Sequence, residues 1–278
     1  MPLSTSPVAV CSWSLQAQGP AQLIELVRAT GATAVQLALV PLIENPTVWG
    51  DTFAMLAGAQ IEVVSGMLET VGEDYSSLES IRLTGGVASD ASWHATRARA
   101  QMVARLAGHA RLGLVTFHAG FIPHDETDST RETVLERVRE ISALFAAQGV
   151  RIALETGQES AATLVDALRA MKDASIGVNF DPANMILYGM GDPVAAATLL
   201  APYIVQAHIK DAQSATEAGA WGSEVRVGTG SVDWPAFLAA LNQAPASIRL
   251  AIEREAGVER VADIRAARVV LDRVLGGK

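Results

Sequence analysis

The sequence contains very little cysteine. Cys11 is the single cysteine among 278 residues, so no disulfide can form within the chain. It lies in the apolar run PVAVCSW, a context that favours a small buried side chain over a reactive thiol. The pattern therefore gives no sign of a disulfide-stabilised fold or of cysteine chemistry.

Long hydrophobic runs are also missing. The roughly 18 uncharged apolar residues that a membrane-spanning helix requires do not occur in succession anywhere. The amino-terminal stretch MPLSTSPVAVCSWSL has no basic start that leads into a long apolar segment, as a secretory signal would have. We therefore expect a cytoplasmic protein that does not interact with a membrane.

Basic residues are scarce relative to acidic ones. The 21 Lys and Arg residues are outnumbered by 30 Asp and Glu residues, which gives a formal net charge of −9. Nucleic-acid binding depends on clustered Lys and Arg, so the composition argues against a nucleic-acid partner and favours a small-molecule substrate. No Gly-rich dinucleotide fingerprint follows the first strand-like run, which argues against a nucleotide-binding doubly wound sheet.

The sequence does contain a regular alternation of short β-like runs and longer helical segments. Eight apolar runs have strand character, at residues 8–13, 33–39, 60–67, 114–118, 151–155, 176–180, 204–209 and 248–253. The clearest helical segments between them are 21–30, 93–110, 128–148, 160–171, 233–241 and 258–275, and the helical pattern is weakest after the second and sixth runs. Because no linker interrupts this repeat, it predicts a single (β/α)₈ TIM barrel domain over residues 1–278.

Residues with acid-base or metal-binding side chains follow the predicted strands at their carboxyl ends, where barrels carry their chemistry. These residues are His118, Glu155, Asp181, His208 and Glu253, on the fourth to eighth strands in that order. Each alone has an ordinary structural explanation. Glu155 or Asp181 could cap the next helix, and His208 could be a hydrogen-bonded core histidine.

Glu253, the last member of this set, could also have a purely structural role. It could pair with Arg254 or Arg260 on the surface. The joint pattern is harder to explain in this way. Three carboxylates converging on one barrel mouth would repel one another unless a cation neutralised them, so the set predicts a divalent metal site. Three oxygen ligands with one imidazole suit Mn²⁺, Mg²⁺ or Co²⁺, and Zn²⁺ is an alternative.

The motifs ALETG, NFDPAN, AHIKD, VGTGSVDW and IERE carry a family resemblance. Together they resemble the xylose isomerase-like TIM barrel superfamily, in particular its sugar phosphate isomerase/epimerase group, which includes D-tagatose 3-epimerase and is related to endonuclease IV. The resemblance extends from Val8 to about Leu275. It implies one Mn²⁺ or similar ion held by Glu155, Asp181, His208 and Glu253, with the two glutamates also moving the substrate proton.

Two positions depart from the patterns of these relatives. Tagatose 3-epimerase-like enzymes have a substrate-contacting histidine three residues after the metal aspartate, where this chain has Asn184. Endonuclease IV has additional zinc-binding histidines that would fall near Met67 and at Asn184, and neither residue is histidine here. His118 does match a metal histidine of that enzyme, so a second metal at His118 stays an alternative to a role in substrate binding.

Further residues are candidates for contact with the substrate. Lys210 follows His208 by two residues and shares its inward face, where it could donate to a substrate oxygen, although a salt bridge to Asp211 is an equal alternative. Arg226, in the long loop after the seventh strand, could bind a hydroxyl, carboxylate or phosphate of the substrate, or could simply be solvated.

Four residues of the first half of the barrel complete the candidate set. They could line the pocket, although packing and solvation would explain them equally well: Trp13, Gln36, Glu69 and Glu73. Few cations occur in this half, so nothing in the sequence demands a phosphorylated substrate.

The sequence thus predicts a metal-dependent isomerase or epimerase that acts on a ketose or keto-sugar, phosphorylated or not. The proton on the carbon α to the carbonyl would be removed to give an enediolate. Alternatives are a 3-keto-glycoside lyase that begins with the same step, an abasic-site DNA endonuclease, and a barrel that only binds sugar. Homo-oligomer formation is compatible with the sequence.

Overall fold

Eight parallel strands close into a barrel with helices between them. The structure is a computed structural model that describes residues 7–217, 220–244 and 247–276; the predicted domain 1–278 and the amino-terminal stretch MPLSTS extend outside these ranges. The barrel strands follow chain order around the ring and pair in parallel. They are β1 (Val8–Cys11), β2 (Ala34–Ala38), β3 (Glu62–Met67), β4 (Leu114–Phe117), β5 (Arg151–Glu155), β6 (Ile176–Phe180), β7 (Ile204–Ile209) and β10 (Arg249–Ile252). The predicted TIM barrel is confirmed.

Helices occupy every interval between these strands. Those before β5 are α1 (Pro20–Thr30), α2 (Val40–Glu44), α3 (Pro46–Trp49), α4 (Thr52–Gly58), α5 (Leu78–Thr84), α6 (Asp90–His109) and α7 (Ser129–Ala146). Those after β5 are α8 (Ala161–Met171), α9 (Pro182–Leu187), α10 (Pro193–Leu200), α11 (Trp234–Leu241) and α12 (Arg260–Gly276). The helical pattern was weakest after the second and sixth strands because these intervals contain several short helices, most of which begin at a proline.

Two local features differ from the sequence prediction. The first strand ends at Cys11, and Ser12–Leu15 form a 3₁₀ turn, so Trp13 lies in that turn and not on the strand. A two-stranded antiparallel hairpin, β8 (Asp211–Gln213) with β9 (Ser223–Val225), follows β7 and was not predicted. Both segments lie at the carboxyl end of the barrel, where they contribute to the cavity described below.

The barrel strands separate an apolar layer from a polar interior. Their outward side chains pack against the helices, as when Phe180 of β6 lies 5.5 Å from Phe237 of α11 between ring centroids. Inside the barrel, Ser65, Asn179 and Gln206 are fully buried and hydrogen-bonded, with Ser65 Oγ donating to Gln206 Oε1 (2.7 Å) and Gln206 Nε2 donating to Asn179 Oδ1 (3.2 Å). Burial of these three polar side chains therefore costs less, because each has a hydrogen-bond partner.

The helices form the outer layer of the barrel. None of them, within the described residues, is both long and apolar enough to cross a membrane. This finding agrees with the missing hydrophobic runs of the sequence.

One buried carboxylate organises the loop between β9 and α11. Asp211 Oδ2 accepts hydrogen bonds from the backbone amides of Gly228 (2.9 Å) and Gly230 (3.2 Å) and from Trp234 Nε1 (3.1 Å). Its Oδ1 accepts from the Val232 amide at 3.2 Å. A Cβ on Gly230 would lie 2.1 Å from Asp211 Oδ1, so only glycine permits this approach.

We expect Asp211→Ala to destabilise the protein by about 2–4 kcal/mol, because several buried donors would lose their acceptor. The matched control is Asp233→Ala in the same loop, which removes a single helix cap on the Ala236 amide and costs about 1 kcal/mol. Urea unfolding of both variants measures the difference. Equal losses would show that Asp211 is not the centre of this loop.

Candidate metal centre and active site

Four side chains from adjacent strand ends meet at the carboxyl end of the barrel. Glu155 is the last residue of β5, Asp181 and Glu253 directly follow β6 and β10, and His208 lies on β7. One ligand atom of each residue lies within 4.8 Å of those of the other three. The four residues, named here the acid-histidine cluster, are at most 7% exposed. The structure therefore brings together the residues that the sequence predicts as metal ligands.

The imidazole of His208 is oriented by a partner on its far side. Its Nδ1 lies 3.4 Å from Glu155 Oε1, 3.4 Å from Asp181 Oδ2 and 3.3 Å from Glu253 Oε2. Its Nε2 lies 2.9 Å from Gln36 Oε1, which can only accept a hydrogen bond. Asn179 Nδ2 also lies 3.0 Å from Nε2. A proton on Nε2, donated to Gln36, would leave the lone pair of Nδ1 directed at the carboxylates, as a metal-binding histidine requires.

Three atoms of the cluster are buried without a hydrogen bond. Among the described residues, Asp181 Oδ2, His208 Nδ1 and Glu253 Oε2 belong to the few buried side-chain atoms that have no hydrogen bond of good geometry, although Glu253 Oε2 forms an ion pair with Lys210 Nζ at 2.9 Å. Leaving such atoms unsatisfied is costly in a protein interior. All three face one another, so the observation fits a divalent cation held among them.

Asp181 caps a helix with one carboxylate oxygen and directs the other into the cluster. Its Oδ1 accepts from the Asn184 amide at 2.9 Å and caps α9, while Oδ2 faces His208. Thr156 fixes the backbone of Asp181 on both sides, because its hydroxyl contacts the Asp181 amide (2.8 Å) and the carbonyl (3.1 Å). The cap holds one oxygen in place and leaves the other free for the cluster.

Each glutamate of the cluster is steadied by donors outside it. Trp13 Nε1 donates to Glu253 Oε1 at 2.7 Å. Asn179 Nδ2 donates to Glu155 Oε2 (3.0 Å), and Asn184 Nδ2 donates to Glu155 Oε1 (3.2 Å). These contacts fix the two carboxylates at opposite ends of the four-strand arc that runs from β5 to β10.

Burial and charge act in opposite directions on these groups. Burial alone would lower the pKa of His208, but Glu155 and Glu253 outweigh it and raise that pKa well above its usual value. Burial would raise the pKa of Glu253, but Lys210 and His208 lower it to about 2. Burial raises the pKa of Asp181 despite the attraction of Lys210. The ionised state of these carboxylates therefore depends strongly on the positive charge beside them.

A cavity of about 430 Å³ opens above the cluster. Glu155 and Glu253 reach it at the cluster end, next to Trp13 and His118. Tyr188 and Trp221 form part of another wall, with their ring centroids 4.9 Å apart. The cavity has the size and the mixture of apolar walls and few polar groups that small-molecule sites show.

Lys210 contacts the cluster and not its sequence neighbour. Its Nζ lies 2.9 Å from Glu253 Oε2 and 2.5 Å from Glu255 Oε2. The alternative of a salt bridge to Asp211 is wrong, because that carboxylate is taken up by the loop amides described above. Lys210 also lines the cavity, where the sequence places it.

The remaining predicted substrate residues divide into two groups. Asn184, Trp13 and His118 line the cavity, and His118 Nε2 lies 3.3 Å from Glu155 Oε1. Glu69 and Glu73 line it as well.

Two of the predicted substrate residues do not line it. Gln36 lies beneath His208, fully buried, where it orients the imidazole. Arg226 is exposed on the loop after β9 and is not among the lining residues.

The described residues contain one further group with three potential ligands, Cys11, His208 and Glu253. It shares two members with the acid-histidine cluster, and burial raises the pKa of the Cys11 thiol to about 12. No group of this kind among the described residues includes His118.

Sequence reasoning missed several residues of the site. Asn179 lies in the run IGVNF, where a polar residue at an inward position two before Asp181 was an available signal. Trp221, Glu224 and Glu255 reach the cavity from the hairpin and from the loop after β10. Their sequence neighbourhoods carry no periodicity that would place them there.

Comparisons with known proteins agree with the barrel fold. The sequence profile of the family described as "Xylose isomerase-like TIM barrel" matches residues 24–273, so the chain belongs to this family. A search of curated proteins found no match.

Three solved structures illustrate the similarity. A xylose isomerase domain protein from Planctomyces limnophilus is 26% identical, with a TM-score of 0.85 over 98% of this chain and 99% of that one. A xylose isomerase-like TIM barrel protein from Mycobacterium smegmatis, in complex with magnesium, is 14% identical, with a TM-score of 0.73 over 100% and 99%. D-Psicose 3-epimerase from Clostridium cellulolyticum H10, with D-tagatose, is 16% identical, with a TM-score of 0.72 over 97% and 99%.

The cluster predicts a measurable metal stoichiometry. Equilibrium dialysis against Mn²⁺ or Mg²⁺ should find about one ion per chain, and His208→Ala should weaken binding by at least about 100-fold, because it removes a ligand of the site. His94→Ala is the matched control, because His94 is exposed on α6 far from the cluster. Unchanged binding by the His208→Ala protein would contradict the assignment.

Proposed function

We propose that this member of the xylose isomerase-like TIM barrel family is a divalent-metal-dependent isomerase or epimerase of a ketose or other keto-sugar. The observation that carries the proposal is the placement of two buried glutamates, Glu155 and Glu253, at opposite ends of one ligand cluster, both facing one cavity. Such a pair can act on the two faces of a flat intermediate.

The donor set fits a hard or borderline divalent cation, with Mn²⁺ proposed first and Mg²⁺, Co²⁺ or Zn²⁺ as alternatives. The ligands would be Glu155 Oε1, Asp181 Oδ2, His208 Nδ1 and Glu253 Oε2, which face one another. When bound, the cation would polarise the substrate carbonyl and acidify the neighbouring C–H bond. Gln36 supports this role by keeping the Nδ1 lone pair of His208 available.

The two glutamates would carry the substrate proton. Glu155 Oε1 contacts the cavity-lining Asn184 and His118, and Glu253 Oε1 contacts the cavity-lining Trp13. In epimerisation, one of the two carboxylates would remove the proton α to the carbonyl, and the other, protonated from solvent, would return a proton to the opposite face of the enediolate. In isomerisation, the proton returns to the neighbouring carbon.

Lys210 would hold the oxygens on which negative charge develops. Burial alone would lower its pKa, but Glu253 and Glu255 raise it well above its usual value, so the side chain stays an ammonium group. Its Nζ lies 2.9 Å from Glu253 Oε2 at the cavity wall, within reach of an oxygen bound beside that glutamate. A fixed donor aimed at a developing oxyanion stabilises the transition state.

Incubation of the metal-loaded protein with a panel of ketoses in deuterated water tests the proposal. We expect an epimerised or isomerised product that carries one solvent deuterium at the carbon that regains the proton. A product without deuterium would indicate a hydride shift and contradict the two-glutamate roles. A 3-keto-glycoside is included beside the panel, and loss of its leaving group would indicate the lyase instead.

Substitution of either glutamate provides a second test. Glu155→Gln and Glu253→Gln should each lower kcat by about 10²- to 10⁴-fold, because each removes an acid-base group. Glu159→Gln is the matched control, a buried glutamate four residues from Glu155 that lies outside the cluster.

Metal content measured on the same samples separates loss of the ion from loss of the base. With the ion retained, wild-type turnover by both cluster variants would refute the proton-transfer roles. Retained exchange of substrate hydrogen with solvent in one variant would identify the base that acts first.

A further inference from the structure

We infer that the cavity selects a substrate without a phosphate or carboxylate group, an uncharged polyhydroxylated ketone. This inference rests on the proposed function and narrows its substrate class. Two independent features carry it: the loop amides that could bind an anion are already occupied by Asp211, and the cavity wall carries more carboxylates than cations.

The first feature is the glycine-rich loop VGTGS after the hairpin. Barrels often bind phosphate through backbone amides of the loops after their seventh and eighth strands, and converging amides form an anion site. Here the amides of Gly228, Gly230 and Val232, together with Trp234 Nε1, converge within 3.2 Å on the carboxylate of Asp211. The chain's own carboxylate therefore occupies these amides, which lie outside the cavity lining, and leaves none of them for a substrate phosphate.

Asp211 cannot easily make room for an external anion. It is 1% exposed, and a Cβ on Gly230 would collide with its Oδ1, so the loop is folded closely around the carboxylate. Exchange for a substrate phosphate would leave the buried aspartate without its donors, which is strongly unfavourable.

The second feature is the charge of the cavity wall. Outside the acid-histidine cluster, four more carboxylates line the cavity, namely Glu69, Glu73, Glu224 and Glu255. Among the described residues that line it, the basic side chains are Lys210 and His118, and both already contact carboxylates, with Lys210 Nζ 2.9 Å from Glu253 Oε2 and His118 Nε2 3.3 Å from Glu155 Oε1.

No arginine of the described residues lines the cavity, although arginine is the usual partner of phosphate and carboxylate. A divalent ion in the cluster would add two positive charges and still leave the acids in excess. An anionic substrate would therefore meet like charge on entry.

The remaining wall suits an uncharged sugar. Tyr188 and Trp221 pack against each other, and Tyr75 lines the same cavity, so aromatic faces are available for the C–H faces of a sugar ring. Glu224 is held by Arg254 Nη1 at 2.7 Å and by the Glu255 amide at 3.0 Å, which fixes one of the acceptors that could receive substrate hydroxyls.

The test compares a neutral ketose with the same ketose carrying a terminal phosphate, using the metal-loaded protein. We expect kcat/KM to be at least about 100-fold lower for the phosphorylated sugar, because like charges across a binding site are strongly disfavoured. Equal or better turnover of the phosphorylated sugar would overturn the inference and leave the proposed function intact.

A binding measurement separates the proposed function from the inference about substrate charge if neither sugar is turned over. In that case the proposed function fails, and the ligand-induced shift in melting temperature decides the inference. Stabilisation by the neutral sugar alone supports it. Stabilisation by the phosphorylated sugar, or by neither sugar, overturns it.

Charge reversal at the cavity wall tests whether its carboxylates cause the preference for the neutral sugar. Glu69→Lys should shift the ratio of kcat/KM values, or of stabilising effects, toward the phosphorylated sugar by about tenfold. Glu25→Lys makes the same charge change on the exposed surface of α1, away from the cavity, and should leave the ratio as in the wild type. Equal shifts in both variants would show that the cavity wall does not set the preference.

Discussion

The buried proximity of three carboxylates is the constraint on which the rest of the site depends. Glu155, Asp181 and Glu253 converge on one imidazole nitrogen at the closed end of a cavity, where solvent cannot separate their charges. Such an arrangement is stable only beside positive charge. Lys210 supplies part of that charge from one side, and the unsatisfied atoms of the cluster point to a cation as the other part.

The barrel fold makes this convergence possible and also controls it. Adjacent parallel strands bring β5, β6, β7 and β10 to one rim, so residues far apart in sequence become neighbours. The polar interior below the rim then fixes the orientation of the ligands. Gln36 holds the far nitrogen of His208, and Asn179 holds the outer oxygen of Glu155. The layer of buried amides is therefore part of the site and not only a filling of the barrel.

The parts of this picture that follow strand periodicity could be predicted from the sequence. The ends of β5, β6 and β7 were placed correctly, and with them Glu155, Asp181 and His208, because apolar runs that stop at a polar residue mark the rim of a barrel. Gln36 was assigned to the pocket because a strand pattern shows that a side chain faces inward but not at which depth.

The partner of Lys210 and the roles of Glu224 and Glu255 depend on the hairpin and on the loop after β10, whose paths no periodicity encodes.

Anomalous diffraction from a crystal soaked in Mn²⁺ is the most direct test of the central claim. The account predicts one strong peak among Glu155 Oε1, Asp181 Oδ2, His208 Nδ1 and Glu253 Oε2, at coordination distances of about 2.0–2.4 Å. A peak elsewhere, or none at this cluster, would contradict it.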